Sequence, residues 1–193
     1  MLEIEASKPE SEKLDFIAIV TPNHLHFPVA KLALEKGFHV ISDKPATLNL
    51  EQALSLEKVV KASGRLYALT HTYTGYPMIK EAKHLIATNK LGKITKVVAE
   101  YTQGWLAGHD NDDNKQAAWR LDPAQSGASC CMGDIGVHAA HLAEYVSGLQ
   151  ITELCSDLAP VVNDRTLDDD GSVLLRFNNN AKGLLFASQI SVG

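Results

Sequence analysis

The stretch VISDKPATL, residues 40–48, carries an apolar, β-branched run directly into Asp43-Lys44-Pro45. It follows FPVAKLALEKG (27–37), which has Pro28 near a helix start and Gly37 where a helix stops. Upstream, FIAIV (16–20) is a short apolar run closed by Thr21-Pro22-Asn23. Downstream, NLEQALSLEKVVKASG (49–64) reads as a helix with Asn49 as N-cap, Gln52 three residues on and Gly64 as terminator. RLYALT (65–70) is then a third strand. Short apolar strands separated by helices of this length predict right-handed βαβ units and a parallel sheet.

The period changes after residue 75. A helix near 77–89 precedes a long alternating strand, KITKVVAEYTQ (93–103). A polar loop follows, within which DNDDNK (110–115) reads as a solvated acidic segment, and then one more helix. The remainder is strand-like: ITELCSDLAP (151–160), GSVLLRF (171–177) and KGLLFASQIS (182–191), with FNNNAKG (177–183) as the clearest turn. The expected fold is α/β: a partial Rossmann-type parallel sheet over 1–75, then an incomplete α+β domain over 76–193. The second domain has an open, mainly antiparallel sheet. VLLRF and GLLFASQI place apolar residues on both faces, so that sheet's outer face is expected to be covered by another subunit or by further chain.

Composition excludes several classes. The 193 residues are 45% hydrophobic and 21% charged, as in a globular protein with a real core. A net charge of −5 without a basic cluster argues against nucleic acid. No stretch is long enough to span a membrane, and the charged N-terminus lacks an apolar signal core. Cys130, Cys131 and Cys155 form neither a metal-type spacing nor a disulfide framework, which places the chain in a reducing compartment, the cytoplasm.

In open α/β sheets ligands sit beyond the carboxyl ends of the strands. Two such ends are marked here, Thr21-Pro22-Asn23-His24 with His26, and Asp43-Lys44-Pro45. Each can be plain turn chemistry. A lysine there can also polarise a hydroxyl or carbonyl oxygen. GDIGVHAAHLAEYVSG (133–148) adds Asp134 and His138, four apart and on one face of a helix. That pair is either a tautomer-fixed general base or an N-capping acid with an edge histidine. A third reading recruits His141 into a two-histidine, one-carboxylate metal site, as a metal-dependent enzyme would use.

IVTPNHLHFPVAKLALEKGFHVISDKPATLNLEQA (19–53), LGKI (91–94), WRLDP (119–123) and GDIGVHAAHL (133–142) together resemble the glucose–fructose oxidoreductase and inositol dehydrogenase family, Gfo/Idh/MocA. The resemblance implies an N-terminal Rossmann domain that binds NAD or NADP. It implies a second domain that binds substrate and makes homo-oligomer contacts through its sheet. The reaction it implies is oxidation or reduction of a hydroxyl or keto carbon of a sugar, cyclitol or related polyol. By the same resemblance Lys44, Asp134 and His138 are catalytic and also touch substrate. Tyr73 and Tyr76 line the substrate pocket, near His71. Thr21, Pro22, Asn23, His26, Asp43, Lys44, Trp119 and Arg120 approach the cofactor, and no metal is implied. Asp43 stands where the family usually has glutamate. The family's G-x-G-x-x-G fingerprint is absent from these 193 residues, so the chain is expected to be the middle of a longer one. A non-catalytic paralogue with a structural or regulatory role is the competing expectation.

Overall fold

The computed structural model describes residues 1–108 and 114–192. Positions 110–113 of the acidic segment DNDDNK therefore lie outside the described residues. The chain divides into two compact units, one of Met1–Thr70 with Ala124–Ala128, the other of His71–Pro123 with Ser129–Gly193.

The first unit begins with the short helix α1 (Leu2–Ala6), followed by β1 (Phe16–Ile19), α2 (His26–Glu35), β2 (His39–Ser42), α3 (Leu50–Ser63) and β3 (Tyr67–Leu69). The three strands form one sheet in the order β1-β2-β3, and both pairings are parallel. Ile17 lies beside Val40, and Val40 beside Tyr67. This row faces the helices. Ile19, Ala30, Ala33, Leu34, Phe38, Val40 and Leu56 close into a buried core. Residues of opposite parity, Phe16 and Ile41, stay exposed on the other face.

Local chemistry sets the helix ends. Asn49 accepts the Gln52 amide at 2.9 Å, and the Gln52 side chain accepts the Leu48 amide at 3.1 Å. This reciprocal pair satisfies two donors that a helix start otherwise leaves open. At the other end Gly64 takes φ +64, a left-handed backbone that suits glycine.

The second unit contains α4 (Pro77–Ala87), β4 (Lys96–Thr102), α5 (Lys115–Arg120), then α7 (Val137–Ser147), β5 (Ile151–Ala159), β6 (Asp170–Phe177) and β7 (Lys182–Ser188). Between α5 and α7 runs the single turn α6 (Pro123–Ser126), most of which folds with the first unit. One helix was expected after the polar loop. The two further short ones carry too few turns to set up a helical period, and α5 declares itself only through its cap, Asn114. The sheet order is β4-β7-β6-β5, antiparallel except for β4 and β7, which pair parallel. Strict alternation on β6 buries Val173, Leu175 and Phe177 under α7 with Leu185, Ala187, Ile135, Ala139 and Ala143. Leu174, 58% exposed, lies on the opposite face with Leu184 and Phe186. Among the described residues no helix is long and apolar enough to cross a membrane.

Replacing Asn49 by Ala removes the side-chain acceptor at the start of α3. It should lower stability by about 1 kcal/mol in denaturant titration, with the slope unchanged.

Candidate active site

In the first unit the carboxyl ends of all three strands are tied together. The Asp43 amide donates to Ile19 O and the Thr70 amide to Ser42 O, at 2.9 and 3.0 Å. Thr70 Oγ1 then donates to the Asp43 carboxylate at 2.7 Å. His26 opens α2 and is 1% exposed. Its Nδ1 lies 2.6 Å from Pro45 O and its Nε2 2.8 Å from Thr21 O. The loop after β1 is thereby joined to the loop after β2, and Lys44 sits at that junction with a cis peptide to Pro45. Asn23 is buried and donates to Ser126 O at 3.1 Å. The Thr21 hydroxyl is buried without a hydrogen-bond partner. An orphaned hydroxyl beyond a parallel strand is where a polar ligand would supply the missing bond.

These contacts separate the sequence candidates by role. His26 has both ring nitrogens engaged by the backbone, so it supports the loop from beneath. Asp43 is likewise occupied by Thr70.

In the second unit a continuous helix runs over 131–147, with a π-turn at Met132–Gly136. Such turns widen the helix by one residue and recur at functional sites. Its first amides are satisfied from outside. Asp168, 7% exposed, accepts the Cys130 and Met132 amides at 2.9 and 2.7 Å and the Ser129 hydroxyl at 3.1 Å. Asp168 is thus the acid at this helix start, and Asp134 is not its cap. Asp134 lies inside the π-turn, and its Oδ2 accepts from Arg120 Nε at 3.0 Å and from Gln189 Nε2 at 2.9 Å.

Arg120, on the last turn of α5, also donates to the Gln116 carbonyl and side chain. Its guanidinium lies 4.2 Å from the Trp119 ring centre and 5.8 Å from that of Trp105. The Trp-Arg pair is therefore joined to the candidate catalytic acid of its own unit.

His138 lies one turn beyond Asp134, at an aromatic cluster. Tyr73 stands edge-on to it at 4.7 Å between ring centres, with His71 at 5.8 Å and Tyr101 at 6.2 Å. The Tyr73 and Tyr101 hydroxyls share a hydrogen bond of 2.5 Å. Tyr73, Tyr101 and His138, with Tyr76, Ile79 and Leu142 among others, line a cavity of about 300 Å³. Sequence reasoning passed over Tyr101. Its signal was the alternation of KITKVVAEYTQ, which turns Val97, Ala99 and Tyr101 to one side.

His141 does not join Asp134 and His138. It stacks on His71 at 3.8 Å, and burial holds its pKa below the ordinary histidine value. Among the described residues no group of three or more His, Cys, Asp or Glu side chains is placed to hold a metal ion. The reading of Asp134, His138 and His141 as a metal site is set aside by this stacking.

Residues 79–193 match the model of the GFO/IDH/MocA C-terminal domain, and residues 3–71 that of an oxidoreductase family with an NAD-binding Rossmann fold. The chain is 30% identical over 183 residues to the uncharacterized oxidoreductase YfiI of Bacillus subtilis, covering 93% of this chain and 47% of that protein. It is 29% identical over 156 residues to levoglucosan dehydrogenase of Pseudarthrobacter phenanthrenivorans, covering 81% and 38%. An inositol dehydrogenase homolog complexed with NAD+ from Azotobacter vinelandii superposes with a TM-score of 0.95 at 31% identity, over 100% of this chain and 49% of that one. The chain spans about half the length of the curated relatives it matches.

Tyr101 provides a measurable signature. Burial first, then the Tyr73 hydroxyl and the nearby Asp134 charge, push its phenol up to about 12. The folded pKa is above the ordinary value near 10. Its contribution to stability is therefore complete below about pH 10 and lost as pH rises toward 12. In a rapid pH-jump titration at 295 nm, Tyr101 should ionise with the late component, joined by the half-buried Tyr67, whose pKa burial also raises. Tyr101→Phe should remove part of that late component, and denaturant should return it to the ordinary range.

Proposed function

Since the chain belongs to the GFO/IDH/MocA oxidoreductase family, we propose that the whole protein is a nicotinamide-dependent dehydrogenase. Its substrates are hydroxyl or keto carbons of a sugar, cyclitol or related polyol. The observation that carries this reading is His138, held at an aromatic cavity on the same helix as an Asp134 anchored by Arg120 and Gln189.

The first unit takes the cofactor end of the work. Thr21, Pro22, Asn23, Asp43 and Lys44 lie at the strand ends where a dinucleotide runs, and the unpartnered Thr21 hydroxyl suits it. His26 belongs to that set as the support of its two loops. A bound NAD or NADP supplies the hydride acceptor in oxidation and the donor in reduction. Lys44 supplies a compact cation for the oxygen of the reacting carbon, where negative charge develops as the hydroxyl proton leaves. His138 takes that proton in oxidation and returns it in reduction. Asp134 orients the imidazole and favours its charged form. Tyr73 and Tyr76 form the aromatic wall of the substrate site. Trp119 and Arg120 approach the cofactor, and Arg120 also holds Asp134.

The partners this reading assigns are a small polyol and further copies of the chain, with neither nucleic acid nor membrane among them. Val98, Leu174, Leu184 and Phe186 leave an apolar stripe on the outer face of the second sheet, suited to a homo-oligomer interface. Three free cysteines suit the cytoplasm.

The test uses the whole protein with myo-inositol and levoglucosan as probes, and NAD and NADP in turn. His138→Asn should lower the oxidation rate roughly 10²–10⁴-fold while cofactor affinity barely changes. The parent rate should fall as pH drops through the histidine range, because an imidazolium accepts no proton. Lys44→Met should also lower turnover. A His138→Asn enzyme with parental turnover and pH profile defeats the assignment.

Light scattering tests the sheet face. The whole protein should be oligomeric, and Leu174→Glu should shift it toward monomer; a monodisperse parental monomer at high concentration rules the interface out.

A further inference from the structure

Gln189 is not among the residues that either the sequence motifs or the family resemblance single out. It follows β7 directly, and its side chain is 0% exposed. A buried primary amide must place two donors and an acceptor, and each unmet one is costly. Gln189 Nε2 donates to Asp134 Oδ2 at 2.9 Å, and its Oε1 accepts from Cys130 Sγ at 3.2 Å. The backbone is pinned as well, since its amide donates to Asp169 O at 2.9 Å and its carbonyl accepts the Leu106 amide at 3.0 Å.

The carboxylate and the thiol together decide which way the amide faces. Burial and the neighbouring Asp134 and Asp168 charges push Cys130 up to about 12, so its sulfur keeps its proton and remains a donor. With S–H directed at Oε1, the NH₂ group must face Asp134. Turned over, the amide would set its oxygen against a carboxylate. The same carboxylate oxygen takes Arg120 Nε from α5. Two donors from different elements thus converge on one oxygen, one charged and one neutral. The direction of the carboxylate is thereby set from two elements.

We propose that Gln189 is a positioning residue for Asp134, fixing through a thiol-oriented amide the direction in which that carboxylate meets His138 and the substrate. The proposal rests on the dehydrogenase reading above. It concerns the orientation of the acid, not contact with substrate. Gln189→Met keeps the length and removes the donor. Gln189→Glu places a second carboxylate against Asp134, so the two share a proton that leaves only at higher pH. Among the described residues Arg120, Tyr101, His138, Cys130, Cys131 and Asp168 are titratable or charged groups near the pair.

The experiment compares both variants of the whole protein with Asp134→Asn and His138→Asn, using NAD with myo-inositol or levoglucosan. Gln189→Met should lower kcat roughly 10–100-fold, the range for losing a hydrogen bond to a charged group, while KM for NAD stays within about twofold. In Gln189→Glu the acid limb of kcat/KM should move to higher pH, a change that packing loss alone does not produce. If Asp134→Asn and His138→Asn are impaired while both Gln189 variants keep parental kcat and pH profile, the positioning role is wrong. If Asp134→Asn and His138→Asn are themselves parental, the dehydrogenase reading fails instead. Side-chain amide NMR of the whole protein gives an answer independent of turnover. The Gln189 NH₂ protons should exchange slowly and shift on Asp134→Asn. Rapid exchange, or no response to that substitution, overturns the proposal.

Discussion

The amides at the start of the helix over 131–147 have no acceptors within the helix, and Asp168 supplies them. The rest of the second unit depends on that exchange. A buried carboxylate is tolerated only when its oxygens are fully engaged, and Asp168 meets this with two amides and the Ser129 hydroxyl. Its neighbour Asp169 is solved the same way, by the Val161 and Val162 amides and the Arg165 guanidinium. Arg165 in turn donates to the carbonyls of Leu106 and Gly108. The loop before β6 thus fixes the helix start from one side, and it also ties down the segment after β4. Once the helix is anchored, Asp134 and His138 have defined positions, and Arg120 and Gln189 can meet the acid from two further elements.

The first unit reaches the same end by another route. Parallel strands leave their carboxyl ends side by side, and here the loops beyond them are laced by buried polar contacts. His26 spans two backbone carbonyls, Asp43 holds Thr70, and Asn23 holds Ser126. Buried hydrogen bonds of this kind contribute only about 1 kcal/mol each on balance, but leaving any one unmade costs more. Their effect is on geometry: they limit the conformations open to Lys44 more than they stabilise the fold. Both units therefore hold their candidate site residues by polar groups whose own partners are mostly backbone.

How far each feature could be read in advance follows the range of the physics. Asn49, Gln52 and Gly64 act within one helical turn, so their spacing announced the cap and the stop, and both are formed. Strand and helix periods repeat over two or three turns and predicted the parallel sheet and the antiparallel ladder with their approximate bounds. The short helices α5 and α6 carried no period and went unseen. Asp134 and His138 were visible as a spaced pair, but the acid's partners were not. Arg120 lies 14 residues from Asp134 and Gln189 lies 55 away.

The sequence by itself determined the longer elements, the apolar faces that close each core, and the residue types of the candidate site, because these follow from local dihedral preference and alternation. Only the tertiary structure decided which polar groups meet. Asp168 became the helix cap, Asp134 an oriented acid, His26 a brace between loops, and His141 a stacking partner of His71. The reason is that a buried polar atom must find its complement wherever the fold brings one within about 3 Å. That meeting depends on how strands and helices cross, which no spacing along the chain encodes.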